Sequence, residues 1–228
     1  TQSRSSAASD VYKRQQDGRA ARQQLIFDEN KMKLIDTALE VINEIGDINE
    51  VTLSTIAKAA GVSPATAYNH FPARMTDLYS AIVKLKLDVR EIIMNMATES
   101  ELIDTIKQIP YIYAKQMVAL GYTGQVLVSQ MGHLQATGKW LEDDPVAVLT
   151  NLLVQEGTYK EDAVEIAEKI TTNFRGAMFE HSLHRDKLEN QYSTYTPDVF
   201  LHKCSLIVED ILKPVSYTHL RAHETKAN

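Results

Sequence analysis

The chain carries a single cysteine, no long apolar run, no strand-like alternation and, between Val51 and Thr76, no acidic residue. Each absence excludes something. One cysteine, Cys204, rules out an internal disulfide framework and fits a reducing compartment. It reads as a small apolar residue buried in the last helix rather than as a redox sensor. No apolar stretch approaches the roughly 20 residues of a membrane span. The polar N-terminus has no apolar core of a secretory signal. The expectation is a cytoplasmic protein without a membrane partner. Nowhere do apolar and polar residues alternate between turn dipeptides, so hairpins are not expected. A glycine-rich phosphate loop, G-x-S-x-G, H-E-x-x-H and a cysteine pair are all missing. Nothing in the sequence points to an enzyme, and no cofactor and no metal are expected. Internal repeats and low-complexity runs are also absent.

What is present is helical and ordinary in composition: 228 residues, 44% hydrophobic and 24% charged, with a formal net charge of −6. That length builds one large or two small domains. The most specific stretch runs from Thr52 to Arg74. Thr52 is a natural N-cap before the apolar-periodic Leu53, Ile56, Ala57 and Ala60. Gly61 stands where a helix must stop, since glycine adopts the left-handed conformation without a Cβ clash. Ser63 is a second N-cap and Pro64 a first helical residue that needs no amide. Pro72 prevents the second helix from continuing past Phe71. Two short helices at this spacing form a helix-turn-helix, whose second helix lies in the DNA major groove.

The charge pattern agrees. The chain is acidic, yet residues 51–76 contain no carboxylate, as a surface laid against phosphates requires. Lys58 and Arg74 bring positive charge, and two helix N-termini offer free amides. On this reading Thr52, Lys58, Tyr68, His70 and Arg74 contact phosphates, and Ala65, Thr66 and Asn69 meet base edges.

Thr52-x-x-x-Ile56-Ala57-x-x-Ala60-Gly61-Val62-Ser63, then Thr66-x-Tyr68-x-His70-Phe71, Arg74 and Leu78, resembles the N-terminal domain of TetR-type (tetracycline-repressor-like) transcriptional regulators. The resemblance extends back through Ile35-x-x-Ala38-Leu39-x-x-Ile42 and Gly46, about fifty residues in all. Two positions depart from the family pattern: Ala67 replaces a Leu or Ile, and Arg74 a Lys. The resemblance implies an all-α fold, a DNA-binding N-terminal domain, and a C-terminal domain that binds a small effector. It also implies a homodimer on a palindromic operator, formed through the last two long helices. It further implies a regulator, most often a repressor released by its effector. A DNA-binding activator or partner-controlled regulator without an effector is the alternative. A helical metal-binding protein using His181 and His184, spaced i, i+3 beside Glu180, is the remote one.

Periodicity predicts a first helix over 29–45, capped by Asp28 and ended by Gly46, with Leu34, Ile35, Ala38, Leu39, Ile42 and Ile45 on one face. A single connecting helix is predicted over 75–96, and the helix-turn-helix domain over 28–74. The C-terminal domain, 98–213, is expected to hold helices at 101–117, 124–136, 145–155, 161–184 and 198–212, with Pro110 kinking or splitting the first. Loops are expected at 121–122, 137–138, 143–145, 156–158 and 190–197. The bulky side chains available to line an effector pocket are Tyr113, Met117, Tyr122, Met131, Trp140, Phe174 and Met178, with Tyr111 and Phe179 beyond them. His133 and Gln130 offer polar contacts. Residues 9–15 and 215–225 resemble translated sequencing-adapter read-through. On that reading 1–27 and 214–228 lie outside the fold, and their histidines are not ligands.

Overall fold

The computed structural model describes residues 3–99, 101–140, 144–184 and 196–224, with side chains placed for 21–98, 101–140, 144–184 and 196–213. The fold is all-α, and no strand occurs among the described residues. The chain divides into two compact units, Thr1–Leu78 and Tyr79–Asn228.

The first unit contains α1 (Ser3–Ile45), a 3-10 turn (Ile48–Glu50), α2 (Leu53–Ala59), α3 (Pro64–His70) and the opening of α4 (Met75–Lys86). Its core is the apolar face predicted for the first helix. Leu34, Ile35, Ala38 and Ile42 are fully buried, as are Ile56, Ala57, Ala67 and Leu78. Ile45, expected on that face, is 40% exposed. Gly46 ends α1 at φ 68°, its amide donating to the Ile42 carbonyl. The predicted start at Asp28 is corrected. Nothing between Ala20 and Phe27 breaks a helix, and Asp28 accepts a hydrogen bond from the Gln24 side chain one turn back instead of capping.

The second unit holds the rest of α4, then α5 (Arg90–Glu99), α6 (Leu102–Ala119), α7 (Tyr122–Ala136), α8 (Pro145–Gln155), α9 (Lys160–Leu183) and α10 (Pro197–Glu224). α9 packs against α7, α8 and α10, and α6 against α5, α7, α8 and α10. A central cluster joins Ile106 of α6, Leu149 and Leu153 of α8, Ala163, Ile166, Ala167 and Ile170 of α9, and Val208 of α10.

Three predictions about these helices are corrected. The single connecting helix over 75–96 is two helices, broken at residues 87–89. Leu87 and Val89 are both buried there, and continuous helix would carry them about 200° apart on the helix wheel. Asp88 accepts the Arg90 amide at 3.1 Å in an Asx-type turn that opens α5. Pro110 does not split α6, which runs unbroken through it. The missing amide costs one rung of the ladder, and the ring itself is buried. α10 continues past the predicted end at 212. The predicted loops at 143 and 190–195 lie outside the described residues.

α6 and α7 meet at a two-residue corner, Leu120–Gly121. Gly121 takes φ 61°, ψ −136°, a conformation open to glycine alone. One turn on, Gly124 presses against α6 so closely that a Cβ there would stand 2.3 Å from the Met117 carbonyl oxygen.

Candidate nucleic-acid interface and C-terminal cavity

The helix-turn-helix is held by local hydrogen bonds that its sequence prescribes. At the start of α2, the Thr52 hydroxyl accepts the Thr55 amide at 3.1 Å, and the Thr55 hydroxyl accepts the Thr52 amide at 2.8 Å. This reciprocal box satisfies two amides that helix geometry leaves open. The end of α2 is a Schellman motif. The Val62 amide reaches the Ala57 carbonyl, the Gly61 amide reaches that of Lys58, and Gly61 sits at φ 64°. α3 begins at Ser63, whose hydroxyl accepts the Thr66 amide at 3.1 Å, with Pro64 as its first residue.

These caps fix which side chains of α3 face outward. Ala67 is buried between the helices; Ala65, Tyr68 and Asn69 are exposed. Thr66 is half-buried and its hydroxyl lies 2.8 Å from that of Ser63, so only part of it remains open to a base. Tyr68 is 38% exposed, and its hydroxyl lies 3.2 Å from Ser54 Oγ on α2. That bond holds the phenol upright, a positioning role for Ser54 that sequence reading missed. Thr52 and Lys58 are exposed on α2. Arg74 follows in a left-handed conformation, φ 56°, rare outside glycine. Its guanidinium stands 6.0 Å from the centre of the Tyr68 ring.

His70 is corrected. Expected as a phosphate contact, it is only 9% exposed, and its ring lies tilted by 39° against that of Phe27 with centroids 3.9 Å apart. Neither ring nitrogen has a hydrogen-bond partner among the described residues. Burial, with help from Lys31 and against the pull of Asp28, holds its pKa below the ordinary value. The cause is Phe27 on α1, which the sequence reading left outside the domain. Thr52, Lys58, Tyr68 and Arg74 remain as surface groups beside α3, with Ala65, Thr66 and Asn69 along it.

The second unit holds a cavity of about 210 Å³ that is partly open to solvent. Of the predicted lining, Tyr113, Met131, Trp140, Phe174 and Met178 are there. Met117, Tyr122 and His133 are not, and are corrected. Met117 is buried at the α6–α7 corner beneath Gly124. Tyr122 opens α7; burial, and after it Tyr122, pushes the Tyr79 hydroxyl up to about 12. His133 is exposed, two residues and so about 200° around α7 from Met131. Sequence reading missed Leu87 and Val89, which reach the cavity only because the chain breaks between α4 and α5, and Thr171. Tyr113 and Phe174 meet edge to face, 5.8 Å between centroids. Asp88 near the rim is clamped by Arg90, with Nε 2.9 Å from Oδ1 and Nη2 2.5 Å from Oδ2, which holds its carboxyl below the usual carboxylate range.

Two of the three side chains of the metal reading, His181 and Glu180, are engaged elsewhere. His181 is buried and stacked on Phe200, 4.3 Å between centroids and 4° from parallel. Glu180 accepts from the Lys203 ammonium at 2.8 Å. Among the described residues no group of three His, Cys, Asp or Glu is placed to hold a metal ion. Nor, among them, is any helix long and apolar enough to cross a membrane.

Residues 34–82 match the family model described as bacterial regulatory proteins, tetR family. The match begins on the buried face of α1, spans the helix-turn-helix and ends within α4. No curated protein matches the chain. Over residues 34–82, and so through its helix-turn-helix, the chain is similar to the DNA-binding domain of the tetR-type bacterial regulatory proteins.

Proposed function

We propose that the regulator is a homodimeric repressor, released from a palindromic operator by a small molecule bound in the C-terminal cavity. The cavity carries this reading. A domain serving only as scaffold gains nothing from about 210 Å³ of aromatic-walled space. α3 lies in the major groove, with Asn69, Ala65 and the Thr66 methyl towards base edges. Thr52, Lys58, Tyr68 and Arg74 bind phosphates. One seven-residue recognition helix makes few base contacts, and a second half-site about 34–36 Å away adds to them. The dimer forms through α9 and α10; α9 leaves Val164, Phe179 and Leu183 exposed on one protomer. Release requires the effector to bind the DNA-incompetent state more tightly than the competent one.

The test is binding of the purified chain to the DNA upstream of its own gene, at two salt concentrations. Saturable, salt-sensitive binding to a palindromic fragment over a scrambled control is expected. Equal, weak binding to both would refute operator recognition. For the dimer, Gly176 is informative, since a Cβ there meets no atom within 4 Å in the protomer. If α9 packs against a second chain, Gly176→Ala weakens association. Unchanged sedimentation across a dilution series would remove Gly176 from the interface.

A further inference from the structure

We propose that the C-terminal cavity binds a small, uncharged aromatic molecule bearing one hydrogen-bond-accepting oxygen, an aryl ketone or ester, held by the hydroxyls of Tyr113 and Thr171. The inference rests on the effector reading above and adds the chemistry of the ligand.

Two observations define that chemistry. The first is the wall. Tyr113, Trp140 and Phe174 surround the space with aromatic faces and edges, and Met131 and Met178 add polarisable, adaptable sides. An apolar cavity of about 150 Å³ is known to take benzene. One of about 210 Å³ therefore suits a single ring carrying a short substituent.

The second is a pair of hydroxyls. Tyr113 is 8% exposed and Thr171 is 5% exposed, both line the cavity, and neither hydroxyl has a hydrogen-bond partner among the described residues. Buried hydroxyls are ordinarily paired, and a helical threonine usually bonds the carbonyl one turn back. The two come from different helices, α6 and α9. Thr171 stands one turn from Phe174, whose ring the Tyr113 ring meets edge-on. Burial pushes the Tyr113 pKa up, so the phenol keeps its proton and acts as a donor. One carbonyl oxygen, with two lone pairs, accepts from both.

The same surroundings disfavour an acid at this position. Every charged side chain on the lining, Lys84, Asp88, Arg90 and Arg175, is exposed. A carboxylate beside Tyr113 and Thr171 would give up its hydration with no buried cation in exchange.

The experiment is calorimetric titration of the full chain with acetophenone, its hydrocarbon counterpart ethylbenzene, and benzoate. The same titrations are run on Tyr113→Phe and Thr171→Val, which keep the side-chain shapes and are checked for helicity by circular dichroism. The expected result is one acetophenone per chain, bound at least tenfold more tightly than ethylbenzene. Each substitution weakens acetophenone about three- to tenfold and leaves ethylbenzene unchanged. Equal affinity for ketone and hydrocarbon, or no loss in either variant, overturns the proposal. So does preferential binding of benzoate, or no binding of any of the three. Acetophenone that binds with the expected pattern yet leaves operator affinity unchanged would uphold the ligand class and refute the effector role.

Discussion

Replacing Gly124 by alanine adds one methyl group to α7, and the structure assigns it a cost. A Cβ there would lie 2.3 Å from the Met117 carbonyl oxygen, 3.2 Å from its carbonyl carbon and 3.5 Å from Leu120 Cβ. Carbon and oxygen do not approach closer than about 3 Å without strain. The obstacle is backbone at the end of α6, tied by the Leu120 amide to the Gln116 and Met117 carbonyls, so no side chain can swing aside. α7 must therefore retreat from α6 by the better part of an ångström. Overpacking of this kind costs about 1–3 kcal/mol, and a backbone obstacle places it near the top. Alanine returns up to about 1 kcal/mol of helix propensity. The net expectation is a loss of about 2 kcal/mol, or about 4–8 °C in the melting temperature of a chain this size. Gly132 supplies the internal control. It lies on the same helix, and a Cβ there meets nothing within 4 Å. Gly132→Ala should gain up to about 1 kcal/mol, because only the propensity term operates. Thermal and urea unfolding of the three proteins decides the matter. If the two alanine variants shift together, or Gly124→Ala matches the parent, the close approach of α6 and α7 is wrong. Tyr113 and Met131 stand on these two helices, so Gly124→Ala should also weaken any cavity ligand.

Three further perturbations have definite outcomes. Arg74→Gly relieves a left-handed residue, so stability should rise by about 1 kcal/mol while operator affinity falls, with the slope of log K against log salt reduced by about 0.9; an unchanged slope would remove Arg74 from the phosphate contacts. Burial, then His184, lowers the pKa of His181 from its ordinary 6.5. The folded state therefore binds fewer protons than the unfolded, and stability should fall as pH drops below about 6.5. His181→Phe, which keeps a ring on Phe200, should reduce the fall of urea-derived stability between pH 7 and 5.5, leaving the part due to His70; an unaltered slope would refute the contribution. Burial pushes the Cys204 thiol to about 12. It should resist a thiol reagent in the native protein and react at once in denaturant, and rapid native labelling would contradict its burial.

The helix-turn-helix was legible because its determinants are local. Thr52, Gly61, Ser63 and Pro64 act on backbone groups within four residues of themselves, and the structure shows those bonds. The buried face of α1 followed from period alone, since Leu34, Ile35, Ala38 and Ile42 need only a partner surface to be covered. The α8 boundaries were legible for the same reason, with Pro145 at the first position and Asp144 capping the Val146 amide. The break at residues 87–89 has one local marker, the Asp88 carboxylate that accepts the Arg90 amide, and it is outweighed by the pattern around it. Apolar residues at helical spacing run through it, and only the burial of Leu87 together with Val89 shows that two walls compete for one stretch of chain.

His70 and the cavity were illegible for a related reason, because burial is decided by residues distant in sequence. His70 reads as a polar residue at the end of an exposed helix, and nothing within that helix announces Phe27, some forty positions earlier, lying across it. Met117 and Met131 look alike on a helical wheel. One is buried on α6 where Gly124 lets α7 approach closely; the other lines the cavity. Thr171 had no signal at all, since a threonine in a helix is unremarkable until its hydroxyl is found without a partner. The absence of a local signature is itself what a ligand site of this kind requires. A cavity whose polar groups were satisfied by their own neighbours would bind nothing in particular. On the proposed reading selectivity falls to two hydroxyls on separate helices, which the fold brings to one cavity and leaves without a partner among the described residues.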